Sequence, residues 1–223
     1  MEISQRISVT VDILLFTILD NKLKILLIKR NIPPFEGMWA VPGGFVKDDE
    51  SLDKAAVREL QEETGVKDIF IEQLYTFGDV KRDPRQRVVT VAYYALISSE
   101  NLSLKYSEYE ANKIDWFPVD RLPEMAFDHR DIIKTGVERI KNKLGYSNVA
   151  FGLLPDKFRL TELQNLYEII LNKPLDKRNF RKKILSLDII EATGEKVVIG
   201  RHRPAQLYRF KNRQLIVLDS TFT

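Results

Sequence analysis

The stretch that most constrains this chain is Pro42 to Val66, PGGFVKDDESLDKAAVRELQEETGV: a glycine pair, then an acidic run of good helix formers, then a second glycine. Ser51 or Asp53 can cap a helix over Leu52 to Glu63, and Gly65 stands where helices end in a left-handed residue. At about 100° per residue, Glu59, Glu62 and Glu63 share one arc, so their carboxylates are expected to point at one spot. Val57 and Leu60 seat the helix in a core, while Ala55 and Ala56 leave room beside the acids. Clustered like charges destabilise a helix unless something positive sits among them. A hard divalent cation with oxygen ligands suits, with Mg2+ or Mn2+ the leading choices. Taken alone, E-x-x-E-E reads as a solvated acidic face.

The spacing goes further. Gly44, Glu50, Arg58, Glu59, Leu60, Glu62, Glu63, Gly65 and Val66 match every specified position of the Nudix box, and the chain resembles Nudix hydrolases. That resemblance implies that Glu59, Glu62 and Glu63 hold catalytic metal, with the Gly44 carbonyl as a possible further ligand. It implies that Arg58, with Glu50, orients the acids, and that the reaction is hydrolysis of a diphosphate linking a nucleoside to another group. One glutamate of this helix, or one elsewhere, would act as base. Cations serve such chemistry by compensating charge on the phosphoryl oxygens and orienting water.

A chain of 223 residues can form one large domain or two ordinary ones, and 44% hydrophobic content is enough for a packed core. The absence of cysteine excludes disulfides and thiolate zinc sites. No basic start leads into an unbroken apolar run, since Asp12 and Asp20 interrupt it, so a soluble cytoplasmic protein without a membrane span is expected. Charge is uneven: residues 1–146 balance at −3 and residues 147–223 at +6. Two modules with different electrostatic roles are indicated, 1–146 and 150–223.

In the first module Ser8–Leu19 and Lys22–Arg30 read as strands about an Asp20-Asn21 turn, and Met38–Val41 as a short strand into the Gly43-Gly44 turn. Gly43 and Gly44 permit positive φ and close approach of backbone to phosphate. Lys67–Phe77 and Val88–Ile97 are further strands. The loop between them carries Arg82, Arg85 and Arg87 around Pro84, material for gripping phosphates. Beside a Nudix box its RDPR run resembles the loop of ADP-ribose pyrophosphatases, which points to an ADP-ribose-like substrate. Residues 98–113 read as a polar loop, Ile114–Val119 as a strand and Asp131–Leu144 as a helix. His129 in FDH reads as a cap or packing group. These elements describe a mixed-sheet α/β/α sandwich.

Gly145–Ala150 reads as a linker. Thr161 with Gln164 forms a capping box before a helix over Glu162–Leu171, and a second helix spans Asp176–Leu187. The second helix is basic at Lys177, Arg178, Arg181, Lys182 and Lys183. Ile189–Phe210 has strand-like ends about an Arg201-His202-Arg203-Pro204 tip. Two short helices followed by a hairpin describe a winged helix-turn-helix. Its Lys177, Arg178, Arg181 and Lys182 would meet DNA in the major groove, while Arg201 or Arg203 would reach the backbone or minor groove. An interaction domain with a solvated basic face is the alternative.

The segment LLPDKFRLTELQNLYEIILNKPLDKRNFRKKIL and the later RHRPAQLYRF resemble the C-terminal domain of NrtR-like, Nudix-related transcriptional regulators, and the likeness extends to FDH and RDPR. It implies a homodimer that releases a double-stranded operator when the Nudix domain senses ADP-ribose or a sugar. Many such regulators have a degraded Nudix box; this chain does not. Three readings result: a regulator that also hydrolyses its nucleotide, a regulator only, and a pyrophosphatase with an accessory domain.

Overall fold

The computed structural model describes residues 7–105, 114–198 and 204–218. Strands β1 (Ser8–Leu19) and β2 (Lys22–Lys29) form the expected hairpin. Its turn residues Asp20 and Asn21 take φ of 52° and 55°, the left-handed pair that a tight hairpin turn needs. β1 is the hub of a mixed sheet. It pairs antiparallel with β2, antiparallel with β4 (Gly43–Phe45) and parallel with β6 (Val88–Leu96). β3 (Trp39–Ala40) and β7 (Ile114–Pro118) pair with β2, and β5 (Phe70–Phe77) closes the far edge against β6.

Alternation along β1 divides the core in two. Val11, Ile13 and Leu15 pack against Ala55, Ala56 and Leu60 of α1 (Leu52–Thr64). Leu14 and Phe16 face Ile132, Ile133, Ile140 and Leu144 of α3 (His129–Tyr146). A side chain at Gly136 would run into Leu14 and Phe16, so glycine sets how closely α3 approaches the sheet. The α/β/α sandwich with a mixed sheet is thereby formed. Part of the expected polar loop is instead helical: α2 (Ser99–Lys105) starts with the Asn101 amide donating to the Ser98 carbonyl, and Leu102 buries into the α1-side core. Residues 106–113 lie outside the described part.

The expected linker is not a linker. Gly145 and Tyr146 complete α3, and Val149–Gly152 form a 3-10 turn whose Val149, Ala150 and Phe151 are buried. The polarity that suggests solvation is used internally. Asn148, 1% exposed, donates to the carbonyls of Asn212 and Gln214, both at 3.0 Å, and accepts from the Ile216 amide at 2.8 Å. The Leu218 amide donates to the Tyr146 carbonyl at 2.8 Å.

Beyond this clasp lie β8 (Phe158–Arg159), α4 (Leu160–Leu171), α5 (Lys177–Ser186), β9 (Ile190–Val197) and β10 (Ala205–Phe210), with sheet order β8-β10-β9. This is the winged helix-turn-helix; its tip, with Arg201, His202 and Arg203, lies outside the described residues. The expected Thr161–Gln164 box does not form. α4 starts earlier, and Glu162 accepts from the Arg159 amide at 2.7 Å and pairs with the Arg159 guanidinium, leaving Gln164 to donate to Leu175. Phe151 stacks edge-on to Phe70 at 5.3 Å and to Phe210 at 6.4 Å, so the two lobes share one core. Among the described residues no helix is long and apolar enough to cross a membrane.

Asn148→Ala removes three bonds from a buried position and strands their backbone partners. It is expected to cost about 2–4 kcal/mol, read as a lower urea midpoint; an unchanged midpoint would show that the clasp contributes nothing.

Candidate functional site

Ser51 caps α1, accepting from the Lys54 amide at 3.3 Å, and Gly65 ends it at φ 69°. Asp53, the other candidate cap, is held by the Tyr93 hydroxyl at 2.6 Å. Arg58 is the centre of the helix's polar face. Its guanidinium reaches Glu50 at 2.6 and 2.9 Å, Glu59 at 2.7 Å, Glu62 at 3.1 Å and the Phe45 carbonyl at 3.2 Å. The Arg58 bond, aided by the Lys47 amide, holds Glu50 down at about 2. Arg58 in turn is raised above its ordinary value, first by Glu50.

The three glutamates do not converge as the spacing alone predicts. Glu63 turns inward to accept from the Gly43 amide at 2.8 Å, Glu59 lies against Gly44, and Glu62 leans out to Arg58 with its side chain 57% exposed. Arg58 has taken the place of the expected positive charge for two of them. Glu63 responds differently: burial first, then the charges of Glu59, Asp12 and Glu62, push it up to about 7 against the Gly43 bond. Among the described residues no three acids stand together ready to clamp an ion. The donor set nevertheless fits a hard divalent cation, since it offers only oxygens and includes a carboxyl that its neighbours' negative charge works against.

Gly43 and Gly44 form strand β4 rather than a turn. A side chain at Gly43 would strike the Val11 carbonyl and Asp12, and one at Gly44 would strike the Glu59 carboxylate. Glycine is required here by the close approach of β4 to β1 and α1.

Gly43, Gly44 and Glu63 form one wall of a cavity of about 290 Å³, bounded also by β1, the end of β2, and the start of α3. The three arginines of the RDPR region part company here. Arg82 is buried and paired twice with Asp128, at 2.8 and 3.0 Å, and with Asp12 at 3.2 Å. Arg85 is held by Asp83 at 2.7 and 3.0 Å and faces the cavity. Arg87 donates to the carbonyls of Gly78 and Asp79 and braces its own loop, away from the cavity wall. Alternating aspartates, silent in the sequence, decide which arginine is free for a ligand. His129 is buried, accepts from the Val41 amide at 3.1 Å on Nδ1 and puts Nε2 3.6 Å from Asp12. Burial depresses its pKa against the pull of Asp12 and Asp128, and the ring both packs beside Phe127 and lines the cavity.

Sequence reasoning missed Arg30, Phe45, Asp83 and Phe127, which also line the cavity. No periodicity links these positions, and only FDH hinted at one of them.

In the second lobe Phe180 and Ile184 anchor α5, and Asp176 caps it by accepting from the Asn179 amide at 2.8 Å. Lys177, Arg178, Arg181 and Lys182 are all exposed, and among the described residues none has a carboxylate at ion-pair distance. Lys177 and Arg181 line a groove of about 260 Å³ with Ala205, Gln206 and Tyr208 of the wing.

A Nudix fold with its acidic helix and a basic winged helix define a two-module nucleotide and nucleic-acid protein class. The NUDIX domain family matches residues 9–136, and the NrtR DNA-binding winged helix domain matches residues 150–210. The ADPR responsive transcriptional repressor NtrR of Acinetobacter baylyi is 40% identical over 207 residues, covering 90% of this chain and 81% of the relative. The crystal structure of Shewanella oneidensis NrtR complexed with a 27mer DNA superposes with a TM-score of 0.82 at 39% identity, covering 91% of this chain and 93% of that one. The NUDIX domain of the same Shewanella protein complexed with ADP ribose matches with a TM-score of 0.51 at 39% identity, over 61% of this chain and 90% of that one. The chain belongs to the NrtR family of Nudix-related transcriptional regulators. Hydrolases with the Nudix domain use a divalent metal.

Without metal, Glu63 binds its proton more tightly folded, near 7, than unfolded, near 4.5. Its contribution to stability is therefore complete below about 4.5 and lost as pH rises through about 7, roughly 3 kcal/mol in all. In chelator, the melting temperature of the wild type is expected to fall more steeply from about pH 5 to about pH 8 than that of Glu63→Gln. Equal slopes would contradict the burial of this carboxyl.

Proposed function

We propose that the protein is an ADP-ribose-responsive transcriptional regulator, in which the cavity beside α1 takes the nucleotide and α5 reads an operator. The observation that carries this reading is the exposed cationic face of α5, without an ion-pair partner among the described residues, on a lobe whose core is continuous with the cavity-bearing lobe. Lys177, Arg178, Arg181 and Lys182 meet phosphates and base edges in the major groove, and Arg201 and Arg203 of the wing tip reach the backbone or the minor groove. The likeness to an ADPR responsive repressor, to a NUDIX domain complexed with ADP ribose and to a protein complexed with DNA supports it. The protein acts as a homodimer in the cytoplasm, because a two-fold pair of winged helices matches a palindromic operator.

Hydrolysis is a second activity of the same site, favoured by the complete acidic helix. Mg2+ or Mn2+ would be held by Glu59, Glu62, Glu63 and the Gly44 carbonyl, and would supply charge compensation on the diphosphate. Release of Glu59 and Glu62 from Arg58 would free them as ligands, with Glu50 retaining Arg58 in place. Gly43, Gly44 and Arg85 face the nucleotide, whereas Arg82 and Arg87 shape the site through the protein contacts they already make.

A gel shift on the gene's own upstream region tests the regulator. Binding is expected to fall steeply with salt, to weaken about tenfold in Arg181→Ala, and to be released by ADP-ribose. Binding without sequence preference, or indifferent to the nucleotide, would sink this reading. With Mg2+, ADP-ribose and water are expected to give AMP and ribose 5-phosphate, with the rate lowered about a hundredfold or more in Glu62→Gln and Glu63→Gln; wild-type protein that releases no AMP is a regulator alone.

A further inference from the structure

We propose that Arg30, at the end of β2, is the guanidinium that grips the diphosphate of the bound nucleotide, and so determines the site's preference for diphosphate ligands. The proposal rests on the reading of the cavity as a nucleotide site and adds a residue that neither the acidic box nor the RDPR loop contains.

Four arginines lie in or near this cavity, and their partners separate them. Arg82 is neutralised by Asp12 and Asp128 together, and Arg87 is turned onto loop carbonyls. Arg85 shares its charge with Asp83 through two bonds. Arg30 lines the cavity and, among the described residues, has no carboxylate partner. Its Nε donates to the Pro34 carbonyl at 2.9 Å and its Nη2 makes a longer contact to Ile32 at 3.4 Å. Of the three arginines that line the cavity, it is therefore the one that, among the described residues, has no carboxylate at ion-pair distance.

It is also held in place. The Arg30 amide donates to Met38 and the Gly37 amide donates back to Arg30, both at 2.9 Å, pinning the intervening loop. The guanidinium stacks 4.9 Å from the centre of the Phe127 ring. Phe127 meets Phe35 edge-on at 4.8 Å, and both take left-handed φ, 52° and 64°. Bulky residues persist there only when their surroundings over-determine them, and such positions cluster at ligand sites. Arg85 lies 5.6 Å from the same ring. Two guanidiniums are thus gathered about one aromatic ring, and burial first, then Arg85, depress the Arg30 pKa against the weaker pull of Asp83 and Glu63. An anion with several oxygens, presented to the Arg30 fork, relieves that repulsion and matches the fork's geometry. Lys29 lines the same wall, but as a point charge on a flexible stem it offers charge without this orientation.

Calorimetric titration of the full chain with inorganic pyrophosphate, and separately with ADP-ribose, tests the assignment. Arg30→Gln is expected to weaken pyrophosphate about tenfold or more, with the melting temperature held. Arg30→Lys, which keeps the charge and loses the fork, is expected to recover part of that loss. Pyrophosphate bound equally by wild type and Arg30→Gln, or not bound by wild type, would overturn the proposal. So would equal weakening by both variants with a lowered melting temperature, since that marks a structural role. Wild type that takes pyrophosphate but not ADP-ribose would count against the nucleotide reading alone, because the pyrophosphate series reports on Arg30 without the nucleoside.

Discussion

The buried ion group of Asp12, Arg82 and Asp128 is what the rest of the site depends on. It joins the central strand β1, the loop after β5 and the start of α3, three parts of the chain far apart in sequence. A guanidinium with its side chain only 4% exposed persists because two carboxylates satisfy it, and Asp12 would be a buried charge without it. The group also keeps Asp12 beside His129 and Gly43, so the floor of the cavity is positioned by an electrostatic requirement rather than by apolar packing.

α1 obeys a related rule with a different outcome. The carboxylates Glu50, Glu59, Glu62 and Glu63 along this helix and its lead-in need cationic company, and Arg58 provides it for Glu50, Glu59 and Glu62. Glu63 lies beyond its reach, buried against Gly43, and carries the unresolved charge of the group as an elevated proton affinity. The helix thus has its own cationic compensation at three carboxylates and retains an oxygen set suited to a divalent cation.

Between the lobes, a stretch of small and polar residues that composition marks as a spacer is a packed joint. Asn148 and Ser147 are buried because their side chains bond to backbone, and Phe151 bridges aromatic rings from both lobes. The winged helix is therefore joined through packed contacts to the end of α3, whose other end forms part of the cavity wall.

Much of this was legible in the residues. The Ile, Leu and Val content of β1 and β2, the Ser51 and Gly65 ends of α1, and the Phe180 and Ile184 spacing of α5 are local signals, so most element types could be read from them, whereas α2 within the expected loop and β4 at the expected glycine turn could not. The chemical character of α1 was likewise written in its spacing. Tertiary structure alone decided which charges remain available, because pairing depends on distances across the fold: Asp12 and Asp128 claim Arg82, Asp83 claims Arg85, and among the described residues Arg30 is bonded by carbonyls and by no carboxylate. Three carboxylates on one helical arc fix a direction, but a guanidinium one residue away chose where two of them point. Periodicity is a local property of the chain, whereas charge compensation is settled only when distant segments meet.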